Sequence, residues 1–416
     1  MASIVNTESL TQSGVALETR ERKGVLNEPR RGGRLKELDA LRGLAACTVV
    51  FCHFYNLHEA GKQPFLIQLL FRGLFRFLVA GHESVLLFFV LSGFVLTLPF
   101  LRPRKPYYFP FLVKRVCRIY LPYLGAVVFA VFGDLLFHNK IPSLSPWFQA
   151  IWSQPVTWSL VLKHAGLIGN FDQMQLNGAF WSLVIEMRVS IIFPLLMLLL
   201  RGIRTQKAVL ITGVAVVLLG LLPLESDNLI PSPYGSTLHY AMVFIVGSLL
   251  ARSSNVWSRM YRDRSRFFRA TLAVCALGAW SFTGLIAGHP SLVGLYDMIL
   301  TVAAACVIIT ALNESLVRVV LLHRVSQYLG EISYSVYLLH VTVLLSLVHA
   351  LYGRLPLYAL LPIYLVLTLV LSSIFHAFVE APSTRLGVWI SKIMEYEKSV
   401  SGERSPANSS ESVAVS

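Results

Sequence analysis

The sequence predicts an all-α, polytopic integral membrane helix bundle of about ten transmembrane helices, and three observations predict it. Of 416 residues, 55% are hydrophobic and only 14% charged, far more apolar surface than one soluble core can bury. The apolar residues gather in runs of about twenty, the length a helix needs to cross a bilayer. The basic residues sort sharply between alternate loops, as the positive-inside rule requires of a multi-pass protein.

Taken in order, the runs lie at 38–57, 84–101, 119–138, 180–200, 208–224, 237–251, 270–288, 293–312, 332–351 and 357–380. The stretch 65–80 is apolar but carries Arg72 and Arg76, so an interfacial or re-entrant helix fits it better than a clean span. Between the third and fourth runs, Pro142, Pro146 and Pro155 limit long helices, while Trp147, Trp152 and Trp158 punctuate the segment. A lid-like surface loop with its tryptophans at the membrane interface is expected over 139–179. Residues 1–34 and 389–416 are read as disordered cytosolic tails flanking one membrane domain at 35–388. The first tail has no apolar core before Leu38, so no cleavable signal peptide is expected there, and the first run is expected to serve as the uncleaved membrane signal.

With both termini placed in the cytosol, 28 of the 36 basic residues fall in inside segments and six fall outside, namely Lys62, Arg72, Arg76, Lys140, Lys163 and Arg354. Arg42 and Arg188 remain, both within apolar runs. The net charge of +14 is therefore mainly a topology signal, and no basic soluble face interleaved with aromatics points to nucleic acid. Cys47, Cys52, Cys117, Cys275 and Cys306 show no CxxC or Cys/His spacing, so neither disulfides nor a metal site is expected.

Charge inside a membrane is expensive, which makes the ionisable residues within the runs the candidates for chemistry. Arg42 and His53 are eleven residues apart, about three helical revolutions, so they share one face with a rise of about 16 Å. Asp39 falls near the same stripe, giving one helix a carboxylate, a fixed cation and a titratable base. The plainer reading is an anchoring arginine at the membrane edge and a histidine bonded to a neighbouring helix. Glu186 and Arg188, two residues apart, cannot face each other on one helix, so each requires a partner elsewhere. Tyr334, Tyr337 and His340 recur every three residues and form a skewed polar flank at the ninth run. The remaining histidines are scattered without ligand spacing and read as bystanders. No GxSxG elbow, P-loop or HExxH occurs, which removes the common serine hydrolase, nucleotide hydrolysis and zinc protease readings.

Several segments together resemble the acyltransferase-3 family of multi-pass membrane proteins, which move acyl groups, often acetyl, from acyl-CoA to hydroxyls of sugars, lipids or secondary metabolites. They are LDALRGLAACTVVFCHF at 38–54, LFFVLSGFVL at 87–96, FLVKRVCRIYLPY at 111–123, FWSLVIEMRVSIIFP at 180–194, LGEISYSVYLLH at 329–340 and FVEAPSTRLG at 378–387. Any one is weak; their order and spacing are fairly specific. Arg42 and His53 match the family's signature spacing, and Lys114, Arg115 and Arg118 match its basic pair after the second span. The wording WSLVIEMR is similar to a subgroup common in fungi. One departure is Leu86, where many relatives carry an acidic residue; Glu83 lies one helical turn away.

The resemblance implies a membrane-bound O-acyltransferase with acyl-CoA, in the first instance acetyl-CoA, as donor substrate, no tightly bound cofactor and no metal. Its partners would be acyl-CoA, a small-molecule or carbohydrate acceptor, and the lipid bilayer. His53 then suits a general base for the acceptor proton, or alternatively a transient acyl carrier. Arg42, nearer the cytosol, suits the donor's anionic rim, and Arg115 and Arg118, on one helical face, suit its phosphates or serve simply as a positive-inside cluster. Glu186 is expected to orient His53 or an arginine, or to form a structural pair. Tyr334 and Tyr337 are expected at the substrate, His340 aligns with a recurrent family histidine, and Glu380 is expected to tie helix ends together. The rival from another class is a multi-pass transporter of a small metabolite, since buried Arg, Glu and His also suit a substrate pathway.

Overall fold

The computed structural model describes residues 35–58, 71, 75–103, 105–137, 141–203, 205–222, 234–282 and 292–403. No β-strand occurs among them. The helices in chain order are α1 (Lys36–Tyr55), α2 (Gly81–Thr97), α3 (Tyr108–Phe137), α4 (Pro146–Ala150), α5 (Trp158–Ala165), α6 (Phe180–Leu199), α7 (Gln206–Gly220), α8 (Tyr234–Arg252), α9 (Ser254–Arg262), α10 (Arg266–Phe282), α11 (Val293–Asn313), α12 (Ser315–Leu321), α13 (Arg324–Leu351), α14 (Leu357–Phe375) and α15 (Ala381–Glu403).

Among the described residues, eight helical segments are long and apolar enough to cross a membrane. They correspond to eight of the ten expected runs. The run at 208–224 forms the 15-residue α7, and the run at 270–288 forms the 17-residue α10, beyond which 283–291 lie outside the described residues. Large apolar side chains face outward along these helices, among them Val128 and Leu135 on α3, Leu198 and Leu199 on α6, and Leu210, Ile211 and Val214 on α7. In water that surface would be an aggregation liability; against lipid tails it is the expected exterior.

With lipid as apolar as leucine, helices associate through close packing and internal polar bonds. Glycines supply the close approach at two crossings. A Cβ on Gly93 would sit 2.0 Å from the Phe244 carbonyl oxygen, and one on Gly247 would sit 2.1 Å from that of Val90, which seats α2 against α8. A Cβ on Gly43 would lie 2.5 Å from the Gly330 nitrogen, and one on Gly330 would lie 2.4 Å from the Asp39 carbonyl oxygen. The second crossing presses α1 onto α13.

Ion pairs join the segments assigned to one side of the membrane. Arg318 on α12 meets Glu37 on α1 at 2.9 Å, Lys114 on α3 meets Glu395 on α15 at 3.2 Å, and Arg269 on α10 meets Glu314 at 3.3 Å. At the other end, Arg188 reaches the carbonyl oxygens of Ile168 and Gly169, and Ser145 Oγ donates to the Asn56 carbonyl at 2.6 Å. Segments that share a sign of loop charge thus share an end of the bundle.

Three expectations change in detail. The third helix begins at Tyr108, well before 119, because FLVKRVCRIY keeps an apolar flank that packs inward, and its cationic residues therefore ride on the spanning helix itself. The segment 141–179 is a folded cap: Trp152 is buried and donates from Nε1 to the Leu176 carbonyl at 3.1 Å, and of the three tryptophans expected at the interface only Trp158 is exposed. Helix α15 continues to Glu403 through residues assigned to the tail, since Gly387 lies against Cys117 of α3 and Glu395 against Lys114. The tails at 1–34 and 404–416, and most of the 65–80 segment, lie outside the described residues; Arg76–Val79 forms a single 3-10 turn.

Candidate active site

The Gly43–Gly330 crossing sets the geometry. Residue numbers rise together along α1 and α13, so the helices run parallel, and ten residues beyond the crossing, about 15 Å further along the axis, each presents a histidine. His53 Nδ1 and His340 Nε2 are 2.9 Å apart. His340 Nδ1 lies 3.0 Å from the Val336 carbonyl oxygen, which only accepts, so that nitrogen carries a proton. With both rings neutral, His340 Nε2 is then an acceptor, the shared proton belongs to His53 Nδ1, and the lone pair of His53 is on Nε2. Trp147 of the cap stacks on the His53 ring at 4.9 Å between centroids.

His53 lines a cavity of ≈ 330 Å³ together with Trp147, Trp181, Tyr337, His82 and Glu83. Tyr337 is held there by Ser182, with 2.7 Å between their oxygens, and it also donates to the Ala179 carbonyl at 3.3 Å. Asn177 fixes the adjoining turn, donating from Nδ2 to the Leu338 carbonyl at 3.1 Å.

A second cluster forms at the Arg42 end. Arg42 pairs with Asp39 at 3.1 Å across one helical turn. Arg115 Nη2 pairs with Glu186 at 2.7 Å, and its Nε donates to Ser190 Oγ at 3.2 Å, while Ser92 donates to the same carboxylate at 3.4 Å. Arg118 and Arg115 both lie in electrostatic range of Arg42, and so does Glu186. Three guanidiniums thus face two carboxylates. Arg118 is exposed and pairs with no carboxylate among the described residues.

The two clusters are joined by one helix. On α13, Tyr334 donates to the Ile119 carbonyl at 2.8 Å within range of Arg115 and Arg118, Tyr337 lines the cavity, and His340 meets His53. The partner of Glu186 is Arg115. Arg188 bonds the cap carbonyls and Thr237, the last at 3.1 Å. Glu380 accepts from Ser335 at 2.6 Å and lies 3.0 Å from His376 Nδ1, which joins α13 to the turn before α15.

Sequence reasoning passed over one buried network. His82 Nε2 lies 2.7 Å and His239 Nε2 lies 3.0 Å from the two oxygens of Asp297, and His82 lines the cavity that His53 lines. The available signal was Asp297 itself, a lone carboxylate in the apolar run 293–312 whose burial demands donors. Trp147 was likewise read as an interface marker, since nothing local in PWFQA distinguishes a tryptophan turned toward an imidazole from one turned toward lipid headgroups.

Comparison with known proteins places the chain. The family described as Acyltransferase domain, acyltransferase 3, matches residues 35–377. Nodulation protein 10 of Rhizobium leguminosarum bv. viciae is 25% identical over 384 residues, covering 87% of this chain and 96% of that protein. A protein of Staphylococcus aureus (strain COL) that carries an O-acetyltransferase name is 22% identical over 384 residues, covering 85% of this chain and 58% of its own, longer length. No solved structure matches the chain.

Proposed function

Since this chain belongs to the acyltransferase-3 family and is an integral membrane protein, we propose that it transfers an acetyl group from acetyl-CoA to a hydroxyl of a small-molecule or carbohydrate acceptor, with His53 as general base. The observation that carries the reading is the His53–His340 pair on the cavity, because an imidazole whose tautomer is held by a second group is the arrangement proton transfer needs.

The chemistry follows from the atoms. The acceptor hydroxyl gives its proton to His53 Nε2 as its oxygen attacks the thioester carbon. The tetrahedral intermediate collapses, the C–S bond breaks, and the leaving thiolate takes the proton back from Nε2. His340 keeps Nε2 the basic nitrogen, and Trp147 limits the swing of the ring.

The donor's phosphates are assigned to the Arg42 end. Arg118 is the group best suited to them, while Arg115 holds Glu186 and Arg42 is shared with Asp39. Arg42 and His53 are separated by about 16 Å along α1, a span that the donor's long flexible arm bridges. Entry from the side that carries the termini follows from the sorting of basic residues.

The test is thioester consumption. Protein reconstituted in lipid and supplied with labelled acetyl-CoA should release free CoA thiol and label an acceptor in a cell extract. A protein that only transports a metabolite would leave the thioester intact.

A further inference from the structure

Where α9 turns into α10, residues 252–269 carry six arginines and one acidic residue, Asp263. The segment is fastened to the end of α11 and the start of α12. Asn313 Nδ2 donates to Ser258 Oγ at 3.0 Å, Arg262 donates to Asn313 Oδ1 at 3.2 Å, and Arg269 pairs with Glu314 at 3.3 Å. Arg259, Arg264 and Arg266 are exposed and pair with no carboxylate among the described residues. The Arg264 guanidinium lies over the Phe268 ring, 5.7 Å from its centroid. The acyl-transfer reading uses none of these groups.

Apolar side chains stand open among these cations. Phe267, next to Arg266, is 82% exposed, and across the Asn313–Glu314 joint, on α12, Leu316 is 78% and Val319 73% exposed. Bulk water is a poor medium for that apolar surface, and the acyl interior is a poor one for the arginines. The boundary between headgroups and acyl chains suits both, which places the α9–α10 turn and α12 in the plane of the interface. The Arg318–Glu37 pair fixes this boundary at the end of the bundle where α1 begins.

At that depth the anion a guanidinium meets is a phosphate, which its planar fork binds through charge-assisted bonds. A zwitterionic lipid carries an ammonium that offsets its phosphate, and an anionic lipid leaves the charge in place. Three arginines without acidic partners therefore favour the anionic headgroup, as basic clusters beside membrane spans do. A soluble anion would satisfy the arginines but leave Phe267 and Leu316 against water.

We propose that the α9–α10 turn and α12 form a docking surface for anionic phospholipids of the leaflet at that end. Arg259, Arg264 and Arg266 take the headgroups, while Phe267 and the exposed side chains of α12 enter the acyl chains. The assignment does not depend on which reaction the chain catalyses.

The experiment titrates the full chain, in an uncharged detergent, with fluorescent phosphatidylserine and with phosphatidylcholine bearing the same acyl chains. Phosphatidylserine should bind about ten-fold more tightly at low salt, and the ratio should shrink as salt is raised. Replacing Arg259, Arg264 and Arg266 together by Gln should remove most of that preference. Arg201→Gln with Lys207→Gln and Arg385→Gln, which removes three exposed cations elsewhere, should keep it. If the first variant fails to fold, Arg266→Gln alone should lower the preference by about two- to five-fold. Glycerophosphoserine, which has the headgroup without acyl chains, and acetyl-CoA should not displace the lipid at equal concentration. Equal binding of the two lipids, an unchanged preference in a folded Arg266→Gln protein, or an equal loss in the control variant overturns the proposal, leaving the arginines a role in topology or net charge alone. Displacement by either soluble anion overturns it too, in favour of a site for free phosphates.

Discussion

What each polar side chain can do depends on which groups are already committed to each other. His340 is buried and committed to Val336 on one side and His53 on the other, so its role is positional. His340→Ala should lower the maximal rate of acetyl transfer by about 10² while leaving the donor concentration dependence unchanged, because the lost function is tautomer control in the proton-transfer step. Arg118 differs: it is exposed, with no carboxylate paired to it among the described residues. Arg118→Ala should raise the acetyl-CoA requirement more than it lowers the maximal rate, since phosphate contacts bind ground and transition states alike; an unchanged saturation curve would remove Arg118 from the donor site. Arg115→Leu should destabilise the fold by about 1–3 kcal/mol, because it strands the half-buried Glu186 carboxylate, and Arg115→Leu with Glu186→Leu should recover most of that loss in thermal unfolding.

Among helices, the decisive feature is a crossing. The Asp39–Arg42 stripe was legible in sequence because residues three apart on one helix are neighbours, and the Tyr334, Tyr337, His340 flank was legible for the same reason. The His53–His340 bond was not, because it joins positions 287 residues apart and depends on α1 and α13 meeting at Gly43 and Gly330. Nothing in either segment alone states that register. The Arg115–Glu186 pair is a similar case: each residue announced the need for a partner, and only the packing of α3 on α6 chose it. Gly330→Val should therefore push α13 from α1, lowering both stability and turnover, although residue 330 lies far from the cavity. Gly278→Val, on α10 with open space around it, is the matched control and should lower neither stability nor turnover. If the two glycine variants behaved alike in unfolding and turnover, the crossing would not be what sets the histidine register.

For the whole molecule, the apolar runs and the sorting of arginines and lysines made the bundle legible before any coordinates. What they could not state was where a run stops short, as α7 does, or that 141–179 folds inward as a cap with Trp147 on the His53 ring. Hydropathy registers only transfer from water, and both a lipid-facing and a cavity-facing tryptophan satisfy it. The ion pairs linking α1 to α12, α3 to α15 and α10 to the start of α12 gather at the end of the bundle where α1 begins, the end that holds the arginine cluster. In sealed vesicles of uniform orientation, acetyl-CoA should be consumed only when supplied to the face on which a C-terminal tag is accessible. Consumption from the opposite face alone would reverse the donor path.

One comparison reaches the centre of the account: release of CoA thiol by wild-type protein and by His53→Ala, reconstituted side by side and matched by elution volume and unfolding temperature. With His53 as the base, the variant should keep its fold and lose turnover by about 10²–10⁴. Equal turnover from a folded variant would place the chemistry at another residue.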